Sequence, residues 1–307
     1  MKRLAVLLCF LVILTGLPLP AGANVTPISV LAAAEEILYG EARTGALIER
    51  IERVEKDIFG SVQEGAAMLR IDRVNSFLQS TEAQGGSMRL HLNLAEWGFT
   101  GILTDGQPLI QRLEKLEEEW FGGPQSGPLA YRIREMMINI WGTTELDLKK
   151  VTLPAETLVR ISLLQSVNSG STKVGDLVPY RVVDDVMVDG RMVIPAGTQG
   201  VATVTEVSSA GPLGRDGRIV IDFGRVASLD GTFVELRVDQ RATEKNKSLE
   251  LAAGASMAGV MLLGPLGLVG GYFVKGKDVG IQERQPFYVE TLRTVQLSGF
   301  ILRPAAK

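Results

Sequence analysis

A displacement of twenty residues superimposes part of this chain on itself. Tyr39-Gly40 falls on Phe59-Gly60, Gly45 on Gly65, and Arg50-Ile51-Glu52-Arg53-Val54-Glu55 on Arg70-Ile71-Asp72-Arg73-Val74-Asn75, with no gap. The frame returns at Arg112-Leu113-Glu114-Lys115-Leu116-Glu117, followed by Phe121-Gly122, Gly127 and Arg132-Ile133. A fixed period of this length marks stacked supersecondary units, each too small to bury its own apolar face.

Leu47, Ile51, Val54 and Ile58 recur at helical spacing, as do Leu109, Leu113 and Leu116, so each unit reads as one amphipathic helix. The aromatic-Gly pair marks its end, where glycine supplies the left-handed cap. Gly45-Ala46-Leu47 and Gly127-Pro128-Leu129 open the next helices. Arg50, Glu52, Arg53 and Glu55 occupy the remaining arc. They read as a solvated face held by weak i, i+4 pairs, the alternative being a binding face for a partner or a cell-wall polymer. Arg89 to Gly101, with Leu90, Leu92, Leu94, Trp97 and Phe99, alternates like a strand but is assigned as helix from its neighbours. His91 reads as a surface or packing residue. The helical repeat domain is bounded at 28–145.

From Leu153 the periodicity changes to two and the punctuation to Asp-Gly and Pro. Leu158–Leu164, Val178–Val183, Val186–Val188, Met192–Ile194, Gly200–Val207, Arg218–Phe223 and Thr232–Val238 are short β-rich runs. Asp189-Gly190, Asp216-Gly217 and Asp230-Gly231 read as tight turns. Leu153-Pro154-Ala155-Glu156-Thr157 and Ile194-Pro195-Ala196-Gly197-Thr198 share a lead-in, echoed by Ile281-Gln282-Glu283-Arg284-Gln285. They are expected to be equivalent corners of one barrel-like fold, because proline belongs at a strand entrance or edge. The fold class is therefore α+β: amphipathic helical repeats followed by a small antiparallel β barrel or sandwich over 151–300.

Within that β domain, Leu251 to Val274 is a stretch of 24 residues without a charge. Its length permits a bilayer crossing. Gly254, Gly259, Gly264, Gly267 and Gly271 offer close helix contacts and are the candidate residues for membrane contact or self-association. Gly264-Pro265 would break or kink a helix. One kinked span, a short helical hairpin and a buried glycine-rich loop all remain open. At the other end of the chain, Met1-Lys2-Arg3, the apolar Leu4 to Leu17 and the small-x-small pattern ending at Ala23 have the layout of a secretory signal peptide over 1–23. Export to a periplasmic or outer-membrane-associated location is expected.

Composition narrows the chemistry. The lone cysteine, Cys9, lies in the segment expected to be cleaved, which leaves no disulfide and no cysteine-ligated metal. A single histidine, His91, speaks against histidine-cluster zinc sites and serine-type triads. The net charge of −3 becomes −5 without the first 23 residues, which carry Lys2 and Arg3 and no acid, so nothing here collects nucleic acid. Residues 24–150 hold 13 basic and 19 acidic groups against 17 and 16 in 151–307, so the repeat half is the acidic one. Asp184-Asp185, with Asp176, is the most suggestive carboxylate set for a cell-wall-acting enzyme. Adjacent strand residues point to opposite faces, however, and the pair reads better as a strand-end break. No cofactor is implied and no catalytic role is assigned.

Lys173-Val174-Gly175-Asp176-Leu177-Val178-Pro179-Tyr180-Arg181-Val182, followed by Val188-Asp189-Gly190 and Ile194-Pro195-Ala196-Gly197-Thr198, resembles a β module of secreted envelope proteins of double-membraned bacteria. The Arg-Ile-x-Arg-Val-Glu-x3-Phe-Gly repeats resemble the N-terminal parts of the same uncharacterised proteins. In layout, a β barrel interrupted late by an apolar insertion is similar to the outer-membrane barrel component of type IV secretion channels, though the long proline-rich linker of that component is missing. The resemblance implies a non-catalytic structural or interaction protein of the envelope, with envelope proteins or a second copy as partner. The alternative it implies is a ring or barrel subunit of an export assembly.

Overall fold

The computed structural model describes residues 26–79, 86–104, 106–212, 215–253 and 278–301. The signal-peptide expectation and the five candidate glycines lie outside these residues.

Among the described residues the first half contains six helices: α1 (Pro27–Tyr39), α2 (Leu47–Phe59), α3 (Ala67–Gln79), α4 (Met88–Thr100), α5 (Leu109–Phe121) and α6 (Leu129–Trp141). Each has 13 residues. The Arg89–Gly101 stretch is helical, as expected. Gly40, Gly60, Gly101, Gly122 and Gly142 cap α1, α2, α4, α5 and α6 in the left-handed conformation, φ between 67° and 86°. The Gly40 cap lies against Pro108 at the start of α5, and the Gly60 cap against Pro128 at the start of α6, which packs the first three helices on the last three.

The polar arc is not simply solvated. At its ninth residue a helix carries a buried glutamate, and at its fourth the next helix carries a buried arginine. Glu35 pairs with Arg50, Glu55 with Arg70, Glu96 with Arg112 and Glu117 with Arg132, at 2.6–2.7 Å. Each carboxylate also accepts the backbone N–H of the residue eight positions later: Arg43, Gln63, Thr104 or Gln125. One glutamate therefore holds the returning loop and the following helix together, and its oxygens are satisfied inside a dry layer, which is the condition for burying a charge. Glu52 and Arg53 stay at the surface, as expected of the arc. Between α3 and α4 the clip is absent, with Asn75 at the ninth position and His91 at the fourth. The outer ends carry Val30 and Met137 at the corresponding positions. The repeat is thus two triplets.

The second half contains β1 (Asp147–Leu153), β2 (Leu158–Leu163), β3 (Val167–Asn168), β4 (Leu177–Val182), β5 (Val186–Val188), β6 (Arg191–Ile194), β7 (Gln199–Ser208), β8 (Arg218–Asp222), β9 (Arg225–Ala227), β10 (Phe233–Arg237), helix α7 (Gln240–Ala253), β11 (Gly280–Ile281), β12 (Pro286–Thr291) and β13 (Val295–Ile301). Strands β4-β2-β12-β10-β9-β7 close on themselves through the β4–β7 pairing into an antiparallel barrel, with β8 extending β7 as a hairpin. Tyr180, Phe223 and Phe287 fill its interior, and the Tyr180 hydroxyl donates to the Phe223 carbonyl.

A second sheet, β1-β13-β6-β5, lies between barrel and helices. Val193 and Leu297 face the barrel core, whereas Met192 and Phe300 enter the helical core. The three predicted corners are equivalent in conformation, with φ of 61° at Glu156, 89° at Gly197 and 61° at Arg284. Thr157 and Thr198 each donate back to the proline carbonyl three residues earlier. Asp189-Gly190 forms the β5–β6 turn with both residues at positive φ. Asp216-Gly217 instead precedes β8 at the end of a longer connection, because β7 and β8 stop pairing at Ser208 and Arg218.

Candidate functional site: the two ends of the barrel

Antiparallel register sorts the loops to two ends. The C-terminal end of β4, the start of β7 and the β9–β10 connection lie at one end, together with the end of β12. The helical domain docks there. Asn93 Nδ2 donates to the Leu229 carbonyl at 2.8 Å and Trp97 Nε1 to the Ala196 carbonyl at 3.0 Å, while Leu103 bridges to Thr198. Gly197 meets the Gly101 carbonyl so closely that no side chain fits between them. Asn93 also accepts from Arg112, so the third clip and the domain junction form one buried polar chain.

Asp230 secures the same end from within the β domain. It accepts from Ser228 Oγ and from the Thr232 and Ser298 amides. Burial pushes its carboxyl upward, but these hydrogen bonds outweigh it and hold the group below the usual carboxylate range. A cleft of about 480 Å³ opens beside the junction, with Glu36 and Ile37 of α1, Arg89 of α4 and Phe233 of β10 among its walls. Arg89 and Arg225 both lie over the Phe233 ring.

The opposite end carries the roots of the uncharged stretch. Helix α7 follows β12: the Ala242 amide donates to Glu290, and Asn246 makes a two-point clamp on Tyr288, donating to its carbonyl and accepting its N–H. The helix therefore advances toward Pro286, where β12 begins, and covers the backbone that β10 leaves unpaired beyond Arg237. On the far side of the stretch, Asp278 accepts from Ser169 Oγ and the Ala210 amide, which hold its carboxyl below the usual range. Ser169 follows β3, and Ala210 lies just past the end of β7, in the connection to β8. Both described flanks are thus fastened at the barrel end away from the helices.

The carboxylates weighed for catalysis hold loops. Asp184 pairs with Arg160 at an exposed 3.3 Å, Asp185 accepts the Ala196 amide, and Asp176 accepts the Lys173 amide. They lie in the break between β4 and β5 and in the turn before β4, as a strand-end reading requires. His91 Nδ1 sits 2.8 Å from the Ser87 carbonyl in the first turn of α4 and borders a smaller pocket with Phe77, Met88 and Arg134. Among the described residues, no cluster of His, Cys, Asp or Glu has the arrangement of a metal site. No helix among them is long and apolar enough to cross a membrane.

No family model matches the chain, and no curated protein does. Among solved structures it is similar to ComB10 of the Com type IV secretion system of Helicobacter pylori, at 16% identity and a TM-score of 0.27, over 50% of this chain and 92% of that one. So low a similarity carries no functional assignment, and the architecture above rests on the strand pairings themselves.

Proposed function

We propose that the protein is a non-catalytic interaction or structural component of the cell envelope. The helical triplets serve as a rigid binding module, and the β barrel is a mount that associates with a membrane or with another copy through Leu251 to Val274. The supporting observation is the polarity of the barrel: one end is occupied by the helical domain, while both described flanks of the uncharged stretch are fastened at the other. A mount of this form keeps the binding module away from the anchored end.

The test is fractionation of cells producing the wild type and the Gly254→Leu/Gly267→Leu variant, with salt and detergent extraction in parallel. The reading expects the wild type in a detergent-extracted or oligomeric fraction and a changed distribution in the variant, since leucine would block close packing at the small-residue positions. A protein that is monomeric and freely soluble in both forms refutes it. Ring-shaped particles in the detergent extract would make the protein a subunit of an export assembly. Loss of peptidoglycan turnover in Asp184→Asn would replace the reading with a cell-wall enzyme.

A further inference from the structure

Neighbouring helices of the repeat half point the same way. The Tyr39 hydroxyl at the end of α1 donates to Asp57 near the end of α2 at 2.6 Å, Phe59 at the end of α2 meets Phe77 near the end of α3, and Phe99 meets Trp120 at the ends of α4 and α5. The chain then stacks on itself end to start: the Tyr39-Gly40 end of α1 lies on Pro108 before α5, and the Phe59-Gly60 end of α2 on Pro128 before α6. Exposure follows this rule. Leu109 and Leu129, the first residues of the two covered helices, are buried, and Tyr39 and Phe59 on the covering ends are half-buried. Among the described residues no helix end lies on the starts of α1, α2 and α3, and there the first turns hold Ile28, Ile48, Met68 and Leu69 in water, the last 61% exposed. At the end of α5, Phe121 is 43% exposed beside an exposed Trp120, and a Cβ on Gly122 would meet open space. The barrel docks along α4, from Arg89 beside Phe233 to Gly101 beside Gly197, so it takes up neither surface. Terminal units of a repeat stack need a polar outer face to stay soluble, whereas here both carry exposed apolar side chains.

We propose that the helical domains of two copies of this chain associate end to start, with the Trp120-Phe121-Gly122 end of α5 in one copy lying on the first turns of α2 and α3 in the next, at Ile48, Met68 and Leu69. The occupant follows from the contact the chain already makes with itself: an aromatic-Gly helix end seated on a helix start, at α1 on α5 and again at α2 on α6. The uncovered end of α5 has the same Phe-Gly sequence as the covering end of α2. The association rests on the helical half being the binding module of the reading above and names what that module binds, without drawing on Leu251 to Val274. Because the two surfaces differ, each contact leaves one of each kind unused at the outer copies, so association continues into a ring or a filament.

Sedimentation velocity of the purified full chain in detergent, over a concentration series, tests the contact. Ile48→Glu/Leu69→Glu blocks the start, and Trp120→Glu/Phe121→Glu blocks the end. The wild type is expected to grow beyond a dimer as concentration rises. Each variant alone should associate about tenfold or more weakly, since a few apolar and aromatic anchors dominate such contacts. An equimolar mixture of the two should recover a dimer and nothing larger, because it holds one intact end and one intact start. Far-UV circular dichroism checks that the helices survive; where the charge unfolds a variant, Ile48→Ser/Leu69→Ser and Trp120→Ser/Phe121→Ser carry the same expectation.

The same series in the Gly254→Leu/Gly267→Leu background separates this contact from one made by the uncharged stretch. Association that responds to the glycine pair and ignores both helix pairs overturns the inference and leaves the anchoring reading standing. A start variant that fails to associate while the end variant behaves as the wild type also overturns it, since like surfaces would then be paired. So does a mixture of folded variants that yields no dimer, or a wild type that is monomeric throughout. A recovered dimer from a protein that fractionates without any membrane removes the anchoring reading alone.

Discussion

The buried clip between Glu55 and Arg70 lends itself to a double-mutant cycle. The glutamate side chain is fully covered and the arginine is 8% exposed. Two hydrogen bonds join them, at 3.0 and 2.6 Å, and a third runs from the Gln63 amide to the same carboxylate. Arg70→Met leaves a buried carboxylate with one amide partner, and Glu55→Leu leaves an uncompensated guanidinium and an orphaned amide. Removal of one partner of a buried pair costs about 3–5 kcal/mol. The double variant removes both charges and retains only the orphaned Gln63 N–H, a penalty of about 1–3 kcal/mol. The double variant should therefore be more stable than either single variant or close to the better of them, with a coupling of at least about 2 kcal/mol. Urea unfolding of the purified protein, followed by far-UV circular dichroism, measures all four corners. As a surface control, the exposed Arg43–Glu41 pair should contribute less than about 1 kcal/mol. If Arg70→Met costs no more than the surface control, or if the two single effects simply add, the clip does not bind loop to helix in the way described.

Three further outcomes are expected. Burial opposes ionisation of Glu55, but its bonds from Arg70 and Gln63 prevail, and Asp230 behaves likewise. Both groups therefore contribute stability that is present above the unfolded carboxyl pKa of about 4 and lost as the pH falls through the lower folded values. Glu55→Gln should flatten that acid limb in a pH series of urea midpoints, and an unchanged limb contradicts the assignment. Gly197→Ala, at φ 89° and against the Gly101 carbonyl, should loosen the helix–barrel junction and admit protease between the domains before either unfolds; uniform digestion argues otherwise. Gly40 and Gly122 have nearly the same cap conformation, but a Cβ at Gly40 would lie 2.8 Å from Pro108 Cγ, whereas Gly122 has open space. Gly40→Ala should thus lower the melting temperature more than Gly122→Ala, and equal shifts would show that the α1–α5 contact carries little.

Much of this architecture was legible because it is local. The helix period, the aromatic-Gly stops and the Asp189-Gly190 turn each depend on residues a few positions apart, and the corners at Glu156, Gly197 and Arg284 repeat the same short grammar. The clips were not legible from amphipathicity, which assigns Arg50 and Glu55 to the polar side. Their signal was the recurrence of Glu followed by Arg fifteen residues later, at 35/50, 55/70 and 117/132, which local pairing rules do not examine. Strand β1 escaped for a similar reason: Lys149 and Lys150 interrupt its apolar run, and its partner β13 is at the far end of the chain. The docking of α4 on the barrel depends on carbonyls at Ala196 and Leu229, whose side chains carry no trace of the contact.

The grouping of the clips also restricts how such a chain can change length. Deleting or duplicating an end helix of a triplet, α1, α3, α4 or α6, would strand a guanidinium or a carboxylate in the dry layer, whereas the middle helices α2 and α5 carry one half of each of two clips, Arg50 with Glu55 and Arg112 with Glu117, and leave the rest matched. Related chains should accordingly vary in the number of middle helices or by whole groups, with gain or loss of a lone end helix disfavoured.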